Sequence, residues 1–132
     1  MNTEPIEIVT SKRKFFKEYL LLKKPIIDSI LTRINNKKTK ISEKPMMVFA
    51  ELLYYNDIYK NETEDRKWAM VFSRDVKVAI MDNLNIKEHV LNNYITYLRH
   101  IKILDGKSIR KMFIIYAEDR ELSYKFRING HQ

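Results

Sequence analysis

The sequence predicts a mainly α-helical fold with a small β component, of the α+β class. Three features carry that prediction. Apolar residues recur at helical spacing after Pro25 and again after Pro45. A long amphipathic helix, residues 87–102, follows a short turn at Leu84-Asn85-Ile86. Residues 122–128 alternate strictly, with Tyr124, Phe126 and Ile128 on one side and Ser123, Lys125 and Arg127 on the other. That is the period of a half-buried strand.

Taken in order, IEIV at residues 6–9 suits a short strand or an extended arm. RKFFKEYLLLKKP is basic and apolar together, and Pro25 is expected to break it. Proline is well placed in the first turn of a helix. IIDSILTRI then keeps Ile26, Ile27, Ile30, Leu31 and Ile34 on one face. NNKKTKISEK, residues 35–44, is polar and basic and reads as a loop free to move. Pro45 opens a second helix, MMVFAELLYYNDIYK, with Met46, Met47, Phe49, Leu52, Leu53, Tyr55 and Ile58 spread almost all round it. Such a helix is central and buried. NETEDR, residues 61–66, reads as an acidic loop, and WAMVF, residues 68–72, as a small strand with Trp68 a core anchor.

Ser73 can cap the next helix, RDVKVAIMDNL, and Asp75 lies in its first turn, where a carboxylate favours the helix dipole. Val76, Ala79, Ile80 and Leu84 are offered to the core. After helix 87–102 come ILDGKSI, entered through Asp105-Gly106, then KMFIIY and ELSYKFRI. Residues 112–116 and 122–128, joined by AEDRE, form a predicted hairpin. Residues 1–44 are expected to be an N-terminal helical extension packed on a domain of residues 45–132.

The bulk properties limit the function classes. A chain of 132 residues, 45% hydrophobic, can bury a real core. The formal charge is +8, from 25 Lys+Arg against 17 Asp+Glu. The excess is spread, with net +5 in residues 1–60 (12 basic, 7 acidic) and +3 in residues 61–132 (13 basic, 10 acidic). It suits an anionic partner such as nucleic acid, an acidic protein or a membrane surface. A solvated soluble surface has a similar balance.

With no cysteine, disulfides and thiolate chemistry are excluded. With only Gly106 and Gly130, a glycine-rich phosphate loop cannot be built. His89, His100 and His131 have no metal-ligand spacing, and no nucleophile motif surrounds the serines. The sequence gives no positive case for an enzyme, a cofactor or a metal. No apolar run reaches the roughly 18 residues of a membrane span, and MNTEPIEIVTSKRK lacks the apolar segment of a signal peptide. The expectation is a cytoplasmic protein (host cytoplasm if viral), or one carried in a virion.

From residue 45 the expected order is helix, short strand, helix, turn, helix, strand, strand. Ala79, Ile80, Leu84, Ile86, Val90, Leu91, Tyr94, Ile95, Leu98 and Ile103-Leu104 supply small and apolar positions that hold two helices across a tight turn. On these residues the chain resembles the winged helix-turn-helix family over about two thirds of its length. Its many Lys, Asn, Ile and Tyr residues and small size also resemble small phage and plasmid proteins. Two positions depart from the family pattern. Lys87 stands where many members have Ser or Thr, so Asn85 with Glu88 is the expected capping pair. The expected wing tip, with Glu118, Asp119 and Glu121 against Arg120, is net acidic and would repel phosphate.

The resemblance implies that helix 87–102 reads double-stranded DNA. On a helical wheel Val90, Leu91, Tyr94, Ile95, Leu98 and Ile101 share one side. His89, Asn92, Asn93, Thr96, Arg99 and His100 share the other, without a carboxylate. Asn can pair with adenine, and Arg with guanine or phosphate. Lys102, Lys107, Arg110 and Lys111 follow, with Asp105 the one acid in that stretch, and are expected on phosphates. The function expected is a transcriptional regulator or replication-related DNA-binding protein.

The plainer reading of that face is a solvated helix surface. The alternative function is a structural or adaptor protein of a phage particle. It would use the same fold to bind a phage or host protein or a second copy, with FFKEYLLLKKPII as candidate contact. Lys12, Arg13, Lys14 and Lys17 suit a phosphate-binding arm, a membrane-surface patch or, more plainly, a solvated helix face. Lys37, Lys38 and Lys40 read as a solvated loop, and Tyr54, Tyr55 and Tyr59 as core packing rather than a docking surface.

Overall fold

The computed structural model describes residues 4–117, with side chains described from Lys12 onward. Among the described residues five helices follow one another: α1 (Glu4–Asn35), α2 (Glu43–Ile58), α3 (Glu64–Val71), α4 (Arg74–Leu84) and α5 (Glu88–His100). A 3-10 turn, Lys111–Phe113, comes after them. Among the described residues no β-strand forms, so the fold there is all-α and not α+β as the sequence predicts, and one isolated antiparallel bridge joins Leu104 to Ile109.

The central element is α2, as its all-round apolar pattern requires. It packs against α1, α3, α4 and α5, and Met46, Val48, Phe49, Leu52 and Leu53 are buried. Ile58, at its last position, is the exception and lies exposed.

The N-terminal third corrects the sequence expectation. IEIV is neither strand nor arm, and Pro25 does not break the chain, because residues 4–35 are one helix. Proline inside a helix removes one hydrogen bond and crowds the carbonyl four residues back, at a cost of roughly 3 kcal/mol. Here Phe16, Leu20, Ile27 and Leu31 form one buried stripe running past Pro25 without a change of phase. The proline itself is on the exposed side, where water can satisfy the freed carbonyl. Burial of that stripe outweighs the local penalty. Ile26, grouped with the inner face by sequence, points outward instead.

The 36–42 connection is pinned rather than loose. Asp28 Oδ1 accepts from the Ile41 N–H at 2.8 Å, and Thr32 Oγ1 accepts from the Thr39 N–H at 3.0 Å. Ile41 is buried. Asn35 Nδ2 donates to the Ile101 carbonyl at 3.0 Å, which fastens the end of α1 to the end of α5.

WAMVF is also not a strand. It falls on α3 and its C-cap. Glu64 and Asp65 occupy the first turn of α3, favourable beside the helix dipole. Trp68 and Phe72, one turn apart, rest against the core half-buried beside buried Val71, so Trp68 flanks the core rather than anchoring its centre. Trp68 Nε1 donates to Glu64 Oε2 at 3.0 Å.

Helix α4 matches its expected bounds, and Ser73 Oγ accepts from the Val76 N–H at 3.3 Å. Val76 and Ile80 are buried, while Ala79 and Leu84 are half-buried. Asn85 then takes the left-handed conformation, φ 55°, and Ile86 N–H bonds back to the Met81 carbonyl at 3.0 Å. Asn85 therefore closes α4 and does not cap α5. The N-cap of α5 is Lys87, which makes no side-chain capping bond. Asn tolerates this conformation better than any residue but glycine. Asn85→Ala is expected to lower folding stability by about 1 kcal/mol, and Asn85→Gly to be neutral or slightly stabilising, by urea denaturation.

The expected β-hairpin is corrected in part. Residues 112–116 are not a strand: they hold part of the 3-10 turn and an irregular segment. Residues 122–128 and the acidic tip lie outside the described residues. What the structure has instead is a short return of chain at 103–110. Asp105 N–H bonds the Ser108 carbonyl at 2.8 Å and Arg110 N–H the Ile103 carbonyl at 3.0 Å. Gly106, φ 61°, makes the turn that Asp105-Gly106 foretold. Ile103, Leu104, Ile109 and Phe113 are buried, so the loop is packed down on the core.

Candidate nucleic-acid interface

The surface that matters is built by α4, the three-residue turn 85–87, and α5. Helix α5 separates its faces as its spacing requires. Leu91, Ile95, Leu98 and Ile101 are buried, with Val90 and Tyr94 half-buried beside them. His89, Asn92, Asn93, Thr96, Arg99 and His100 are all exposed on the other side. The structure therefore brings all six together along one solvent-facing strip, about 17 Å long for 12 residues at 1.5 Å rise.

The N-terminal end of that strip is tied across the turn. Arg74 Nη1, at the start of α4, bonds Glu88 Oε2 at 2.8 Å, so the acid opening α5 has a cationic partner. The C-terminal end is tied to the following loop, since Arg99 Nε donates to the Gly106 carbonyl at 3.0 Å. This fixes Arg99's stem and places the exposed 105–107 turn beside the end of the strip. The helix closes through a left-handed residue, Lys102 (φ 73°), with Ile103 N–H on the Leu98 carbonyl at 3.0 Å. This is the six-to-one bond of a helix stop that commonly uses glycine.

The four cations expected on phosphates divide in two. Lys107 and Lys111 are exposed. Lys102 and Arg110 are half-buried, and Arg110 Nε is enclosed without a hydrogen-bond partner. Lys107 and Lys111 are thus the more exposed pair, and the Lys111 charge lies near enough to Glu64 of α3 to add, after that carboxylate's bonds to Trp68 and Lys67, to holding it below its ordinary range.

The structure also shows a charged cluster that sequence reading missed, and it lies inside the fold. Glu51, on α2, is 4% exposed. Asn83 Nδ2, from α4, donates to its Oε2 at 2.7 Å. Arg13, from α1, brings Nη2 to 3.1 Å from Oε1 while donating to the Tyr55 hydroxyl at 2.9 Å. The guanidinium also lies 4.7 Å from the Tyr54 ring centre. The Glu51 contact is an off-axis ion pair, because Oε1 has no aligned hydrogen-bond donor. Burial pushes the Glu51 carboxyl above its ordinary range, and the Arg13 charge opposes that shift.

Asp57, 3% exposed, lies near Lys60 Nζ (3.7 Å) and Lys12 Nζ (3.8 Å) and accepts from the Ala117 N–H at 3.3 Å. Arg13 is therefore a structural cation rather than part of a free phosphate-binding arm. The available signal was Glu51, Asn56 and Asp57, polar residues inside a helix whose middle is apolar almost all round.

Among the described residues, no group of three His, Asp or Glu side chains is placed to hold a metal. No described helix is long and apolar enough to cross a membrane. Comparison with family models, curated proteins and solved structures finds no match for this chain.

Proposed function

We propose that the chain is a DNA-binding protein in which α4 and α5 act as a helix-turn-helix. In this reading α5 enters the major groove and the 103–110 loop serves as a reduced wing. The observation that supports it is the strip on α5, where six polar or basic side chains and no large apolar residue face solvent, and the one exposed acid of the helix, Glu88, is paired with Arg74. Protein-docking faces concentrate aromatic and apolar anchors, which this strip lacks. That argues against the adaptor reading for α5 itself. Asn92, Asn93 and Arg99 are assigned to base edges, where bidentate pairing is available to both residue types. Lys107 and Lys111 are assigned to phosphates, with Lys102 and Arg110 in support through their half-buried stems.

Duplex affinity is expected to fall steeply between about 50 and about 200 mM salt, because phosphate contacts release counterions. Replacing Lys107 and Lys111 together by Ala is expected to weaken binding to every sequence and to flatten the log–log salt slope by about 2. Arg99→Lys keeps the charge and removes the planar fork, so it is expected to relax sequence preference more than it weakens binding. Fluorescence anisotropy titrations of a set of duplexes of different sequence, across a salt series, read all three. Absence of binding at the lowest salt would defeat the proposal.

A further inference from the structure

Helix α1 has a second face that the described residues leave uncovered. Opposite the buried stripe, Glu18, Leu22, Ile26, Ser29 and Arg33 recur at steps of three or four residues with Pro25 beside them, and all are exposed. Leu22 is 74% exposed and Ile26 55%, with Leu21 at the margin. Isolated apolar residues on a surface need no explanation, but two adjoining branched side chains one turn apart form a patch.

The stripe is complementary to itself in one direction. Its acid lies toward the N-terminus and its base toward the C-terminus, with the apolar pair between them. Two copies of α1 laid antiparallel, with a two-fold axis between Pro25 and Ile26, place Glu18 of each copy against Arg33 of the other. Leu22 then meets Ser29, whose small side chain leaves room for it. Such an interface is isologous, the commonest arrangement of a homodimer. Parallel pairing would instead set Glu18 against Glu18 and Arg33 against Arg33. Glu18's existing contact, with Lys14 at 3.9 Å, joins two well-exposed side chains and is weak enough to exchange.

We infer that this face of α1 is a homodimer interface, formed by antiparallel packing of a second copy across Leu22 and Ile26. The interface uses no residue of α5, so it is tested separately from what α5 binds.

Analytical ultracentrifugation of the full chain across a concentration series tests it. The weight-average mass is expected to rise toward twice the chain mass. Leu22→Glu is expected to weaken association at least tenfold, roughly the effect of desolvating a charge in an apolar contact. Glu18→Arg and Arg33→Glu are each expected to weaken it about tenfold, since each replaces two attractive pairs by two repulsive ones. The double variant Glu18→Arg/Arg33→Glu restores the pairing with its polarity reversed and is expected to recover association.

All these positions are exposed, and circular dichroism is expected to show that the variants keep their helices. A chain that stays monomeric up to about 1 mM, the weak limit of useful affinity, overturns the inference. So does a Leu22→Glu variant that associates as the parent does. Failure of the double variant to recover association overturns the antiparallel pairing and with it the proposal.

Discussion

Phe49→Ala is expected to lower folding stability by about 3–5 kcal/mol, toward the upper end of that range. Phe49 is fully buried on α2, and its ring meets that of Phe113 edge-on, 6.3 Å between centres at 90°. Neighbours collapse into a cavity only where they have freedom to move. Helix α2 is held between α1, α3, α4 and α5, so much of the lost volume stays empty. The melting temperature should fall by about 10 °C or more. Phe113→Ala removes the same edge-to-face contact from the other side. A double-mutant cycle should return a coupling of about 0.5–1.5 kcal/mol. Ile58→Ala supplies the contrast: on the same helix but exposed, it should cost about 0.5 kcal/mol or less. Equal losses at Phe49 and Ile58 would contradict the orientation of α2.

The contrast between α2 and α3 shows what a sequence of this kind reveals. The pattern of α2 extends over four turns and starts at a proline, so local preference and tertiary burial agree. WAMVF is five residues long, too short to separate a period of 2 from one of 3.6, and Trp, Val and Phe all favour strands. Only the packing of Val71 and the acidic first turn reveal the helix. Pro25 misled in another way. The rule that proline ends a helix is local, while the stripe Phe16, Leu20, Ile27 and Leu31 is a long-range regularity visible only when both halves are read in one phase.

The candidate interface was more legible than the fold around it. One helix positions His89 to His100, and a helix's two faces follow from its spacing alone. The tie from Arg99 to Gly106 and the left-handed Lys102 depend on where the chain goes after the helix, which periodicity does not encode. The Arg13–Glu51–Asn83 cluster draws on three helices far apart in sequence, so no local pattern contains it.

Arg13→Met is the second substitution expected to have a large effect, at about 2–3 kcal/mol at neutral pH. Breaking a fully buried ion pair costs about 3–5 kcal/mol because it strands a charge. Arg13's side chain is 35% exposed, so solvent screening reduces that figure. The stranded group is Glu51, whose carboxyl burial already holds above the ordinary 4.5. Arg13 is the largest influence opposing that rise, so its removal pushes the carboxyl higher still.

A carboxyl raised in the folded state binds its proton more tightly there than in the unfolded chain. Its ionisation therefore costs stability, beginning near the unfolded value and completed as pH passes the folded one. The variant should accordingly lie closest to the parent below about pH 4.5 and lose ground steadily as pH rises toward neutrality. Glu51→Gln in the same background removes the charge while keeping an oxygen for Asn83. It should recover most of the loss and flatten its pH dependence. A deficit of the same size at every pH would instead assign the effect to Arg13's stacking on Tyr54 and its bond to Tyr55. Thermal denaturation of the single and double variants across pH 4 to 8 separates the two, because the stacking and the tyrosine hydroxyl do not titrate in that window, whereas an unpaired Glu51 carboxylate does.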